Sequence, residues 1–536
     1  MFFISNLVFR DLEFIFRYFC AKLNSMADKQ VFFDYINDGY KTKGDYINLG
    51  AAMLNGETVK DAYVKVPLKT LNRHGLIAGA TGTGKTKTLQ IIAENLSDKG
   101  IPVLLMDIKG DLSGIAQPGA DHPKIQERHN AIGFPFEAKN FPVEVLTLSD
   151  QDGVRLRATV SEFGPVLLSR ILDLSDVQSG IVSVIFKYCD DHKMPLLDLK
   201  DFKKILQYTT DEGKEEFASE YGRISSSSTG AILRKIVELE QQGADLFFGE
   251  KSFNTDDLLR IDENGRGFIN IIRLTDIQDR PKLFSTFMLS LLAEIYATFP
   301  EQGDSGRPEL VIFIDEAHLI FNQASSSLLD QIESIVKLIR SKGVGLYFVT
   351  QNPTDVPDAV LSQLGLKIQH ALRAFTAKDR KAIKLTAENY PISEYYKTDE
   401  VLTSLGIGEA LISALNEKGI PTPLARTMLR APMSRMDILT DTELKSLLNT
   451  SKLIPKYNEV IDRRSAYEML TEKIEEANRE EAKEKAEKEK EAARKSTSSN
   501  RRSTSRRRST VNPWIKTLSS PTVIRSVLGI LGKMMR

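Results

Sequence analysis

Cysteine is nearly absent from this chain of 536 residues: only Cys20 and Cys189 occur, neither with a CxxC partner or a metal-ligand neighbour. That excludes a disulfide framework or a thiolate zinc site and fits a reducing, cytoplasmic compartment. An excess of either charge is also missing, since 72 Lys and Arg balance 72 Asp and Glu. No field of the whole molecule therefore draws it to nucleic acid or anionic lipid, and any such attraction must be local. Long apolar runs are lacking too. The first 25 residues are rich in Phe, Leu and Ile, but Arg10, Asp11, Glu13 and Arg17 interrupt them. A membrane-spanning helix needs about 20 nearly uninterrupted apolar residues, and a signal peptide needs a basic start. Residues 1–25 read instead as an extra segment ahead of a natural start at Met26, or as a short interfacial helix. No internal repeat is evident.

What is present is the composition of a soluble globular protein, 41% hydrophobic and 27% charged, long enough for two or three domains. Residues 26–72 form a short N-terminal region ending in the strand-like VKVPL (Val64–Leu68). From residue 73 the pattern is α/β. Leu76, Ile77 and Ala78 run into a glycine-rich turn, Lys87–Leu96 reads as a helix, and IPVLLMDI (Ile101–Ile108) and VEVLTL (Val143–Leu148) read as buried strands. Residues 155–259 lose the strand signal, and LLSRILDL, IVSVIFKYC and ILRKIVELEQQ predict a helical insertion. Alternation returns with GFINIIRL, a helix over Leu283–Tyr296, LVIFIDEAH, a helix over Ser326–Arg340 and GVGLYFVTQ, followed by strands in LKIQHALRAF, EALISAL and LARTMLRA. Strands separated by helices predict a parallel sheet, with residues 73–154 and 260–433 as one core. Residues 434–471 read as a helical region and 472–510 as a charged low-complexity linker. Within that linker, 472–494 read as a solvated single helix and composition predicts disorder over the basic stretch 495–510. Residues 511–536 read as an amphipathic helix that would place Val523, Val527, Ile530, Leu531 and Met534 on one face.

Two motifs carry chemistry. GATGTGKT, comprising Gly79, Ala80, Thr81, Gly82, Thr83, Gly84, Lys85 and Thr86, fits G-x-x-x-x-G-K-[ST] at every fixed position. A triphosphate needs many donors at close range, and glycines let backbone N–H groups curl inward without a Cβ in the way. The helix that follows adds the positive end of its dipole, with Lys87 in its first turn. Lys85 is then the mobile charge for the β- and γ-phosphates of ATP, and Thr86 a hydroxyl ligand for Mg²⁺. The second motif ends the apolar strand LVIFIDEAH in Asp315 and Glu316. A strand this apolar lies centrally and opens at its C-terminal end on the ligand crevice. Asp315 is expected to hold Mg²⁺ through water and Glu316 to polarise the attacking water. Gln351, ending the next strand, reads as a γ-phosphate sensor or a turn residue before Pro353. Asp107, in MDIKGDLSG, reads equally as a supporting metal ligand or as part of a polar turn. DEAH also spells a helicase signature of two-lobed enzymes, but no Ser-Ala-Thr motif or second arginine cluster accompanies it, so His318 reads as an incidental helix-start residue.

RHGLIAGATGTGKT, MDIKGDLSG, IDEAHLIF, VGLYFVTQNPTDVP and QHALRAFTAKD, in that order, resemble the HerA–FtsK superfamily of ring-forming ATPases, and within it the YjgR-type bacterial HerA-like proteins. The resemblance spans residues 34–433. It implies a RecA-like P-loop NTPase core, ATP hydrolysis, hexamers, and an arginine finger supplied by the neighbouring subunit. Arg340 and Arg373 are the candidates for that finger. Only about 45 residues separate Met26 from Gly75, too few for the full N-terminal barrel of the archaeal helicase, and no winged helix of the FtsK kind is visible. The resemblance implies a motor on DNA, with the basic stretch Arg501–Arg508 available for phosphate contacts. The alternative is a non-motor ATP switch anchored to a membrane or partner by residues 511–536.

Overall fold

The computed structural model describes residues 28–499, apart from 279, 304, 322–325, 460 and 462. The segment 1–25, most of the basic stretch and the residues 511–536 expected to form an amphipathic helix lie outside the described residues. The chain divides into two compact units at Leu470.

The first unit is built on one twelve-stranded sheet. In chain order the strands are β1 (Tyr46–Leu54), β2 (Glu57–Pro67), β3 (Gly75–Ala78), β4 (Val103–Asp107), β5 (Val143–Thr147), β6 (Val154–Arg155), β7 (Ile269–Arg273), β8 (Leu310–Ile314), β9 (Val344–Thr350), β10 (Leu366–Gln369), β11 (Glu409–Ser413) and β12 (Ala425–Leu429). Their spatial order is β2-β1-β12-β11-β10-β3-β9-β8-β4-β7-β5-β6. From β10 through β6 every pairing is parallel, whereas β10-β11-β12-β1-β2 is an antiparallel extension. The parallel strands β3, β4, β5, β8 and β9 are buried along their whole length, because helices cover both faces of such a sheet.

The N-terminal region differs from the sequence expectation. VKVPL is only the end of the longer β2, and β1 before it is almost wholly buried. YINLGAAML carries small and polar residues that hide the alternation, and it becomes a strand through pairing with β12 and β2. A helix over 28–39 precedes this pair, burying Phe32 and Ile36.

Between β6 and β7 the chain forms five helices: Val160–Ile171, Asp176–Asp191, Leu199–Tyr208, Lys214–Glu220 and Ser226–Gln241. Thr159, Ser175 and Asp198 start three of them with reciprocal capping boxes. The later helices Pro281–Thr298 and Ser326–Leu338 fall where periodicity puts them, the second ending in a 3₁₀ turn over Ile339–Lys342. In the second unit the described residues continue the helix Ala466–Ser499. The pairs Glu475–Arg479, Glu481–Lys485 and Glu484–Lys488 stand four residues apart, each contributing about 0.3–0.5 kcal/mol. Residues 495–499 belong to this helix rather than to the disordered stretch expected from composition. No helix among the described residues is long and apolar enough to cross a membrane.

Candidate active site

Parallel register brings the motifs to one edge. Ala78, the last residue of β3, pairs with Thr350 of β9 and Gln369 of β10, and Ile314 of β8 pairs with Met106 of β4. The residues following these strands all emerge at the same C-terminal edge of the sheet. Gly79 N–H continues the ladder to Thr350 O (3.3 Å) and Ala80 N–H to Ala371 O (2.9 Å), which pins the loop on both sides.

The loop Gly79–Gly84 rests on backbone geometry that side chains resist. Gly79 has φ 152°, and a Cβ there would stand 2.5 Å from Cβ of His370. Gly84, at φ 111°, launches the helix Lys85–Asp98. Thr83 Oγ1 donates to Ala80 O (2.7 Å), and Lys85 Nζ folds back to donate to Gly79 O (2.7 Å) and Ala80 O (3.2 Å). Burial lowers the Lys85 pKa, and the neighbouring Lys109 charge adds to that effect. His370 is buried behind the loop with Nε2 2.9 Å from Thr88 Oγ1. Burial, then the Lys85 charge, depresses its pKa to about 4, so the ring is neutral at physiological pH. Thr86 and Lys87 occupy the first turn of the helix, half-buried.

Opposite the loop, Asp315 and Glu316 follow β8 and are both buried. Glu316 takes a left-handed φ of 47°, a conformation costing about 1–3 kcal/mol that collects at functional sites. Its N–H donates to Asp315 Oδ1 (2.9 Å). Lys109 reaches in from the turn after β4, with Nζ 2.5 Å from Glu316 Oε1 and 3.9 Å from Asp315 Oδ2. Burial opposes the Lys109 charge, but the two carboxylates overcome it and raise its pKa. Burial pushes Asp315 up to about 6, against the pull of Lys109 and with the push of Glu316. Glu316 Oε2 has no aligned hydrogen bond, although His318 Nδ1 lies 3.2 Å away. A buried carboxylate oxygen without a donor, beside a second carboxylate with a raised pKa, is a site that fits an added cation.

The remaining candidates sort by position. Gln351 is exposed at the end of β9, on the loop's edge, with its turn held by Thr350 Oγ1 and Asn352 N–H on Asp355 Oδ2 (2.6 and 3.1 Å). Arg373 is exposed on the same edge, two residues past Ala371. Arg340 lies in the turn before β9, where its charge falls on His74, the residue before β3. It stands at the opposite edge, away from this chain's own loop. Asp107 departs from the metal-ligand expectation. Its Oδ1 accepts from Gly110 N–H (2.7 Å) and Asp111 N–H (3.2 Å), and its Oδ2 from Leu112 N–H (3.1 Å), so the carboxylate is spent on the turn that presents Lys109. His318, expected to be incidental, stands within ion-pair distance of Glu316. Sequence reasoning passed over Lys109 as a partner of the carboxylates, and His370 as the packing stop under Gly79. The signals were a charge two residues past a buried strand and an isolated His in QHALR.

Comparison with known proteins gives the family of the chain. The helicase HerA-like C-terminal family matches residues 52–536. A DNA double-strand break repair helicase HerA of Saccharolobus solfataricus is 25% identical over 378 residues, covering 69% of this chain and 67% of that protein. A probable helicase of Methanocaldococcus jannaschii is 26% identical over 419 residues, covering 70% of this chain and 71% of its own. Among solved structures, the bacterial conjugative coupling protein TrwB superposes with a TM-score of 0.50 at 15% identity, over 76% of this chain and 94% of that one, a likeness of fold. With a phosphate loop and a paired carboxylate on one edge of a parallel sheet, and a family match over most of its length, the chain belongs to the helicase HerA-like C-terminal family and is a HerA-like P-loop ATPase.

Proposed function

We propose that this ATPase is a ring-forming, cytoplasmic motor that spends Mg-ATP on moving nucleic acid. The observation that carries it is the placement of Glu316, with a carboxylate oxygen that accepts no aligned hydrogen bond, on the same sheet edge as Lys85 and the glycine loop. The N–H groups of Gly79–Thr86 and the Lys85 ammonium hold the triphosphate, which requires Lys85 to leave the carbonyls of Gly79 and Ala80. Thr86 and Asp315 would hold magnesium, which would screen the phosphate charge. Glu316 takes the proton from the attacking water, a contribution of about 10²–10⁴ in rate, and must first give up Lys109. Gln351 orients the γ-phosphate or the water. An arginine of a second copy completes the site, and Arg340 suits that role better than Arg373 because it faces away from its own loop. Support for the nucleic-acid substrate comes from family membership and from the relatives' description as helicases, and the hexameric ring is what the superfamily resemblance of the sequence implies. The alternative of a switch anchored by residues 511–536 rests on residues outside those described.

The test measures nucleotide binding and phosphate release, with and without duplex DNA, for the natural protein, Lys85→Ala, Glu316→Gln and Arg340→Ala. Lys85→Ala loses ATP binding, whereas Glu316→Gln and Arg340→Ala bind ATP and turn over at least about 100-fold more slowly. DNA stimulates the natural protein. Full turnover by Glu316→Gln sinks the general-base role, a rate indifferent to DNA sinks the motor, and a monomer by light scattering in ATP removes the arginine in trans.

A further inference from the structure

Lys109 cannot stay where it stands once the site is loaded. Its Nζ lies 2.5 Å from Glu316 Oε1 and 3.9 Å from Asp315 Oδ2, so it occupies the carboxylates assigned to the attacking water and to magnesium. An ammonium driven off two buried acids by a divalent cation needs another anion close by. The backbone that bears Lys109 offers little movement. Its turn is anchored at both ends by the buried side chains of Ile108 and Leu112 and by the three N–H donors on the Asp107 carboxylate. Gln278 Nε2 also donates to Ile108 O (2.7 Å), and Gly110, at φ 76°, makes the bend. The backbone therefore stays, and the flexible four-carbon side chain moves.

Across Gly110 from Lys109 stands Asp111. Its Oδ1 is shielded from water and accepts no hydrogen bond, an expensive arrangement for a carboxylate unless a partner comes to it. Its charge acts on Lys109, on Asp315 and on Lys87, so it belongs to the same electrostatic cluster as the two acids of the site. Lys87 is already spent, because its Nζ donates to Met436 O (2.6 Å) and Gln90 Oε1 (3.4 Å). Lys109, with a side chain 38% exposed and room to turn, is a mobile cation within reach of Asp111.

Resting on the reading of Asp315 as the magnesium holder and Glu316 as the base, we propose that Lys109 is a two-position gate on the site and that Asp111 is its second station. Without nucleotide the ammonium closes Glu316. When magnesium and the triphosphate enter, it crosses Gly110 to Asp111 and frees the carboxylate that activates water, which ties that carboxylate's availability to loading. Asp111 is thus a positioning residue, reaching the reaction only through Lys109. One ion pair exists in each state, so the exchange costs less than leaving a half-buried ammonium with no partner.

The experiment is a double-mutant cycle on Mg-ATP affinity by calorimetry, using the full natural chain, Asp111→Asn, Lys109→Met and the double variant. Asn has the shape of Asp, and Asp111 Oδ1 has no hydrogen bond to lose, so the fold does not depend on that charge. Removing an acid near a polyphosphate should, by charge alone, tighten binding. The gate reverses that sign. Asp111→Asn is expected to bind Mg-ATP about tenfold more weakly, because Lys109 loses its second station and keeps competing for Asp315 and Glu316. In the Lys109→Met background the same substitution is expected to leave the affinity within about twofold or to tighten it. Unchanged or tighter binding by Asp111→Asn alone overturns the gate. An equal loss in both backgrounds overturns it too, since Asp111 would then act on the metal or the nucleotide directly. If the natural protein binds no Mg-ATP, the loop assignment itself falls and the gate with it.

Discussion

Replacing Lys109 by Met tests the electrostatics of the site apart from its chemistry. The Lys109 ammonium is the cation beside two acids whose side chains are only 5% and 8% exposed, 3.9 Å from Asp315 and 2.5 Å from Glu316. Removing one partner of a fully buried pair costs about 3–5 kcal/mol. Lys109 is 38% exposed, so water and counter-ions screen part of that interaction, and about 1–2 kcal/mol is the expected loss in magnesium-free buffer at pH 8. The pH dependence has a definite sign. Burial raises the folded pKa of Asp315 from 3.8 to about 6. Its protonation therefore stabilises the fold fully below pH 3.8, and that stabilisation is lost as pH rises through about 6. Lys109 pulls the value down, so in Lys109→Met it moves up and the penalty of the charged form grows at high pH. Thermal melting in EDTA should show a deficit of roughly 1–2 °C at pH 8 that narrows toward pH 5, and magnesium at pH 8 should recover more in the variant than in the natural protein. A deficit equal at both pH values would refute the argument, since a purely steric loss does not titrate.

Two further substitutions probe the scaffold. In Gly79→Ala the new Cβ meets Cβ of His370 at 2.5 Å from a backbone at φ 152°, so the loop must shift. ATP affinity by calorimetry is expected to fall at least about tenfold with only a small change in melting temperature, and an affinity like that of the natural protein would contradict the geometry. Glu94, buried in the helix Lys85–Asp98, accepts from Met433 N–H (2.7 Å) and Ser434 N–H (3.0 Å). Glu94→Ala orphans both donors, which should destabilise the protein by roughly 2–4 kcal/mol. Hydrogen exchange should quicken first at residues 431–436, and unchanged protection there would reject the clasp.

The parts of this protein most legible in its sequence are those where local chemistry leaves few solutions. GATGTGKT between an apolar strand and a helix admits little besides a phosphate loop, and LVIFIDEAH reads as a buried strand ending in two acids because nothing in it suits a surface. The antiparallel extension was less legible. β1 carries Asn48, Gly50 and two alanines, and becomes a strand only because β12, nearly four hundred residues later, supplies its hydrogen bonds. Asp107 shows the same limit at the site, since its residue type suits a metal and a turn equally, and only the positions of Gly110, Asp111 and Leu112 N–H decide between them.

The sequence by itself determined the ligand class, because backbone curvature at glycines and a lysine six residues after the first of them are local properties. It also determined that a carboxylate pair would face that ligand, because parallel strands all end on one edge. Tertiary structure decided what stands between them. Lys109 on Glu316, His370 under Gly79, and Arg128 bridging the Ile407–Gly408 and Leu429 carbonyls join segments hundreds of residues apart, and no spacing along the chain encodes those distances. A charge or a carbonyl finds its partner through the packing of the sheet, so the phosphate loop can be read in a line of sequence while the contacts around it needed the fold.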